Sequence, residues 1–182
     1  MNRFSKLVLL AVMLGLVAVM MPTFAQEEEL PEPGTGGAIV AANIGSDIKT
    51  LNPIITSDGS SSTVSGRIFP GFVGISTETA DFAPMAPGAI VKDWTISEDG
   101  LVYTFNLRDD LFWSDGTPIT AADVQYSYDA IVSGEVESPL SYISDDVANV
   151  VTVDDFTLEV TVKNPVCSAM FNIRAIPVVP SH

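Results

Sequence analysis

Residues 88–131 read GAIVKDWTISEDGLVYTFNLRDDLFWSDGTPITAADVQYSYDAI, and the fold is decided there. Trp94 and Ile96 alternate with polar residues, and Ser97-Glu98-Asp99-Gly100 then supplies turn chemistry. Leu101, Tyr103, Phe105 and Leu107 follow at period two, opposite Thr104, Asn106 and Arg108. Alternation, turn and alternation predict a β-hairpin with one buried face. Asp115-Gly116-Thr117-Pro118 makes a second turn, and Thr120 with Asp123 three residues on opens a helix. Val124, Tyr128, Ile131 and Val132 share one side of that helix, which spans about Ala121–Val132.

Outward from this centre the pattern weakens. Downstream, 134–146 reads as a polar loop, and 150–153, Asp154-Asp155 and 156–162 read as a second hairpin. Phe156, Leu158, Val160 and Val162 fall on its inner face, and Pro165 ends it. Upstream, 38–44 is a compact apolar run expected to be a buried strand, followed by a turn region over 45–52. Asp58-Gly59-Ser60-Ser61 is rich in helix-capping side chains and opens an expected helix with Val64 and Ile68 on its inner side, stopped by Pro70. Residues 80–88 are Pro-rich and irregular. Strands and helices are mixed, as in α/β or α+β domains.

The amino terminus has a different character. A short basic stretch, 1–6, precedes fifteen apolar or small residues at 7–21 and then Pro22-Thr23-Phe24-Ala25. That is the build of a secretory signal peptide cut ahead of Gln26. Fifteen helical residues span roughly 22 Å, short of the ~30 Å hydrocarbon core that a membrane anchor must cross. Residues 26–37 carry four acids, two prolines and three glycines and read as a flexible tether.

Composition narrows the chemistry. The 182 residues hold 23 Asp+Glu against 8 Lys+Arg, a formal net charge of −15. Such a surface repels phosphate backbones and argues against nucleic acid as a partner. One Cys and one His leave a disulfide framework, a cysteine zinc site or a His-based triad without parts. Cys167 stands among Val166, Ala169 and Met170 and reads as a small packed hydrophobe, while His182 has no identifiable partner. The pairs Asp109-Asp110, Asp145-Asp146 and Asp154-Asp155 read as solvated turns rather than calcium ligands, since none lies in a loop of spaced acids. No nucleophile–base pair can be assembled, so neither an enzyme nor a cofactor or metal protein is expected.

The central stretch as a whole resembles one family: the peptide- and nickel-type solute-binding proteins (family 5) of ABC importers. The resemblance rests on the Trp94 hairpin, the strand from Gly100 to Arg108, Trp113-Ser114-Asp115-Gly116-Thr117-Pro118, and the helix start at Thr120 with Tyr126-Ser127-Tyr128. Leu51-Asn52-Pro53 is similar to the family's early turn, and 177–182 to the segment returning to its first lobe. The resemblance implies an α/β, periplasmic-binding-protein-like (type II) two-lobed fold. In that reading 1–25 is the signal peptide, 26–37 the linker, 38–69 and 163–182 first-lobe segments, and 70–162 an inserted subdomain, with the second lobe absent.

It further implies an exported, periplasmic or extracytoplasmic monomer, with no cysteine near the cut to carry a lipid anchor. A small solute would be held between lobes and handed to an ABC permease in the membrane. A di- or oligopeptide is the expected solute, with nickel chelate, sugar or opine as other candidates. An exported chaperone or interaction module without a transport role is the alternative reading. By the resemblance, ligand contacts fall on Thr56, Ser57, Asp58 and Gly59, and on Leu140 and Tyr142. Ser57 stands where some peptide binders place an acid that pairs with the peptide amino terminus, with Asp58 beside it. Leu140 stands where the family has a pocket-lining aromatic.

The signal-peptide reading makes a direct prediction. Amino-terminal sequencing of the exported protein should begin at Gln26, and a Met1 start would refute cleavage.

Overall fold

The computed structural model describes Gly45 and residues 47–182. The expected signal peptide, tether and 38–44 strand lie outside the described residues. In chain order the elements are α1 (Gly59–Ile68), β1 (Gly74–Ile75), β2 (Phe82–Ala83), β3 (Val91–Ile96), β4 (Val102–Leu107), α2 (Ala121–Val132), α3 (Ile143–Asp146), β5 (Val147–Asp154), β6 (Thr157–Val162) and α4 (Ala169–Arg174).

The two expected hairpins join into one antiparallel four-stranded sheet of order β3-β4-β6-β5. The 97–100 turn closes the first hairpin. Gly100 takes a φ of +72° there, and the Asp99 carboxylate accepts from Ser97 Oγ and Leu101 N–H. A side chain on any other residue would strain that left-handed position. In register, Phe105 faces Trp94 on one neighbour and Leu158 on the other, and Tyr103 faces Val160. The period-two pattern therefore becomes a single apolar face, with Phe105, Leu107, Leu158, Val160 and Val162 all buried. Ile96, expected on the inner side, is half exposed at the turn end of β3. Both outer strands are irregular: β3 shifts register between Val91 and Asp93, and β5 does so near each of its ends.

Helix α2 has the expected bounds and lies against this sheet. Val124, Tyr128 and Ile131 are buried, whereas Val132 is exposed at the helix end. Tyr128 Oη donates to Val147 O (3.0 Å), and Gln125 Oε1 accepts from Thr152 N–H (2.8 Å), so the helix satisfies backbone of the β5 edge. Burial raises the Tyr128 hydroxyl above its usual pKa. The core is completed by Ile173 of α4 and by Ile176, Val178 and Val179 beyond it.

Three expectations are corrected. Helix α1 starts within the expected cap-rich stretch, with Asp58 as its cap, but its inner face is Ser60, Ser61 and Ser65, and Ile68 is 56% exposed. The neighbouring chain runs too close for larger side chains: a Cβ on Gly45 would stand 2.4 Å from Ser60 Oγ. Ser61 Oγ also accepts from Lys49 N–H (3.0 Å), which an aliphatic side chain could not do. The 134–146 stretch is not wholly a polar loop, because Ile143 is completely buried and nucleates the one-turn α3. Cys167 is exposed, and burial falls instead on Ala169 and Met170 just after it.

One buried carboxylate ties the remaining pieces together. Asp123, 2% exposed, accepts from Trp113 Nε1 (3.1 Å), from Thr120 N–H at the helix start (3.0 Å), and from Ser181 N–H (2.8 Å). Asp123→Ala would leave three donors without their anionic partner. It should cost about 3 kcal/mol in urea denaturation, with Asp123→Asn recovering part of the loss. An Asp123→Ala midpoint equal to wild type would refute this role.

Candidate functional site

The two loops singled out by the resemblance do meet. Ser138 Oγ donates to Ile54 O (2.5 Å) across 84 residues of chain, and a groove of about 530 Å³ opens beside the contact. Ser57, Ser138 and Ser141 line it together with the end of α2. Ser57 is the one of the six expected site residues on its wall. Thr56 Oγ1 is committed to Asn52 O (2.7 Å). Asp58 accepts from Ser61 N–H (2.9 Å), and that bond holds its carboxyl below the usual pKa. Gly59 is exposed in the first turn of α1. Leu140 packs against the core, and Tyr142, 47% exposed, lies just before α3.

The larger cleft is elsewhere. About 920 Å³ lie between the end of α1, the loop before β1, the 111–115 loop and the chain end. Its floor is aromatic: Phe69 and Trp113 meet edge to face with ring centres 6.5 Å apart. Trp113 is held there by Asp123 and by a turn in which its N–H donates to Thr117 O (2.8 Å). Gly116, at a φ of +91°, makes that turn possible. Arg67, Arg108 and Arg174 line the walls. Arg108 is engaged by Asp110 through two parallel contacts of 2.9 Å, which lower the Asp110 pKa and raise that of Arg108. The sequence marked Asp115–Pro118 as a turn and gave no sign that Arg67 and Arg174, far away in the chain, share a cleft with it and Arg108.

His182 is not without a partner. Its Nε2 lies 2.7 Å from Asp115 Oδ2 at the cleft mouth, a contact across 67 residues that no local pattern reveals. The acid pairs serve turns and packing. Asp110 holds Arg108, the Asn172 side-chain amide donates to Asp146, and Asp154 accepts from Phe156 N–H (2.9 Å). Among the described residues no three His, Cys, Asp or Glu side chains gather as a metal site, and no helix is long and apolar enough to cross a membrane.

Comparison with known proteins gives this architecture its class. Residues 86–182 match the family model described as bacterial extracellular solute-binding proteins, family 5 Middle, and the chain belongs to that family. The periplasmic oligopeptide-binding protein OppA of Escherichia coli (strain K12) is 35% identical over 141 residues, covering 68% of this chain and 25% of OppA. Among solved structures, the oligopeptide-binding protein OppAIV of Borrelia burgdorferi superimposes with a TM-score of 0.65 at 33% identity, covering 77% of this chain and 31% of that one. NikZ of Campylobacter jejuni, solved with Ni(L-His), gives 0.64 at 27% identity over 76% of this chain and 27% of its own. The fold is thus the α/β fold of type II periplasmic binding proteins, and the chain spans about a quarter of the length of the relatives it matches.

The His182–Asp115 contact carries a pH signature. Asp115 is lowered from 3.8 to about 2, first by the Thr117 N–H and then by His182. A depressed carboxylate stabilises the fold above its unfolded pKa and ceases to do so as pH falls through the folded value. Asp115→Asn should therefore lower the urea midpoint at pH 5, and the gap to wild type should close between about pH 4 and pH 2. A gap that stays constant down to pH 2 would refute the assignment.

Proposed function

We propose that this chain is the amino-terminal part of an extracytoplasmic solute-binding protein that delivers a di- or oligopeptide to an ABC permease. The observation that carries the reading is the family match over 86–182 joined to 35% identity with an oligopeptide-binding protein. In this reading 38–69 and 163–182 belong to the first lobe, 70–162 forms an inserted subdomain, and a second lobe is encoded beyond His182. Ligand bridging two lobes favours the closed state by its differential affinity for closed over open, which requires no chemistry from the protein.

The groove beside Ser57 supports a place for the ligand between the first-lobe segment and the inserted subdomain. The Ser138–Ile54 bond ties the 138–142 stretch to the chain just before 56–59, and Ser57 and Ser138 line one groove, so both can face one partner. With Ser57 where some peptide binders carry an acid, an amino terminus would be received by Glu137 on the groove wall or by groups of the second lobe. Reading the gene past His182 should give an open frame for several hundred more residues. Calorimetry of that longer product against di- to hexapeptides should give saturable heat. Absence of heat with every peptide would reject peptide as the solute.

A further inference from the structure

The two walls of the groove beside Ser57 are joined at a single polar point. Among the described residues, the bond from Ser138 Oγ to Ile54 O (2.5 Å) is the only hydrogen bond between 47–57 and 133–146. Ser138 is 8% exposed and uses its hydroxyl twice, donating to Ile54 O and accepting from Leu140 N–H (3.2 Å). Its carbonyl accepts from Ser141 N–H (3.2 Å), and the Leu140 carbonyl accepts from Ile143 N–H (2.9 Å). The wall at 138–144 is thus suspended between two anchors, the Ser138 hydroxyl and the buried Ile143 side chain. The facing wall is built around the other end of the same bond. Ile54 is buried, and its N–H donates to Asn52 Oδ1 (2.9 Å), which aims the Ile54 carbonyl. The Asn52 carbonyl accepts from Thr56 Oγ1 (2.7 Å), one residue before Ser57. A buried carbonyl that loses its donor costs free energy until it finds another partner, so neither wall moves away without a penalty on both.

We propose that Ser138 is the positioning residue of this groove: its hydroxyl couples the 52–57 turn to the 138–144 wall, so that the two open and close as one unit. A solute touching either wall then meets the other already in place, which lowers the ordering cost of binding. Occupation of the groove by a solute rests on the solute-binding reading; the coupling of its walls does not.

The test is amide hydrogen exchange of the 182-residue chain, read by mass spectrometry over 50–57, 134–146, β4 and β6. Ser138→Ala should speed exchange about tenfold in both groove walls and leave β4 and β6 unchanged. Coupling between two sites is reciprocal, so a change on the far side of the bond must be felt on the near side. Asn52→Ala, at an exposed position, should therefore speed exchange in 138–144 as well as in its own turn. The double variant should exchange no faster than the faster single. A response confined to the mutated wall, a double variant in which the two effects multiply, or equal acceleration of β4 and β6 would overturn the proposal. If Ser138→Ala fails to fold, Asn52→Ala decides alone, since a local role for Asn52 leaves 138–144 unmoved. Coupled exchange without peptide heat from the longer gene product would keep the coupling and remove peptide as the solute. Peptide heat with uncoupled walls would remove the coupling and leave transport standing.

Discussion

The Asp123 carboxylate is the constraint on which the rest of this structure depends. It stands in the first turn of α2, where a negative charge is favoured by the helix dipole, and it is almost wholly buried. A buried carboxylate is tolerable only when its oxygens are occupied by donors. The donors come from three places: the indole of Trp113, the backbone at Thr120, and the backbone at Ser181, 58 residues downstream. One charge thus sets the helix start, fixes the aromatic floor of the large cleft, and brings the chain end back beside the 111–115 loop. The His182–Asp115 contact depends on that return, and the Phe69–Trp113 pair on the held indole.

The parts legible in the sequence are those whose signals are local. Alternation at Leu101–Leu107 and Phe156–Val162 needs only one buried face to be true, and the sheet supplies it on β4 and β6. The α2 bounds follow from Thr120, Asp123 and a 3.6-residue stripe. What escaped reading depends on neighbours far away in the chain. Serines face inward on α1 because a backbone segment crosses them at close range, a fact no helical periodicity encodes. Ile143 is buried within a polar stretch because the sheet edge and α4 need one apolar anchor there. The convergence of Arg67, Arg108 and Arg174 is equally silent, since nothing in a residue's vicinity states which distant residues share its cleft. Family resemblance carried the class where local physics could not, and it directed attention to the 56–59 and 138–142 loops.

The two concave regions differ in kind. The groove beside Ser57 is lined by serine hydroxyls and aliphatic carbon with one acid, Glu137, on its wall. The larger cleft combines arginine side chains with an aromatic pair. Against a surface field set by 23 acids, that local reversal of sign matters more than the net charge.

The irregular register of the sheet also has a bearing on how this chain survives before it is fully folded. All the shifts among the four strands lie in pairings made by the two outer strands, and the β4–β6 pairing between them is regular. Outer strands present unpaired amide and carbonyl groups that can recruit a second copy of the chain. Breaking the repeat there spoils the template at both margins, even though Val151 and Val153 leave apolar side chains on one of them. Self-association through sheet extension is thereby discouraged by backbone geometry, independently of the acidic surface, and raising the salt concentration would not remove the protection.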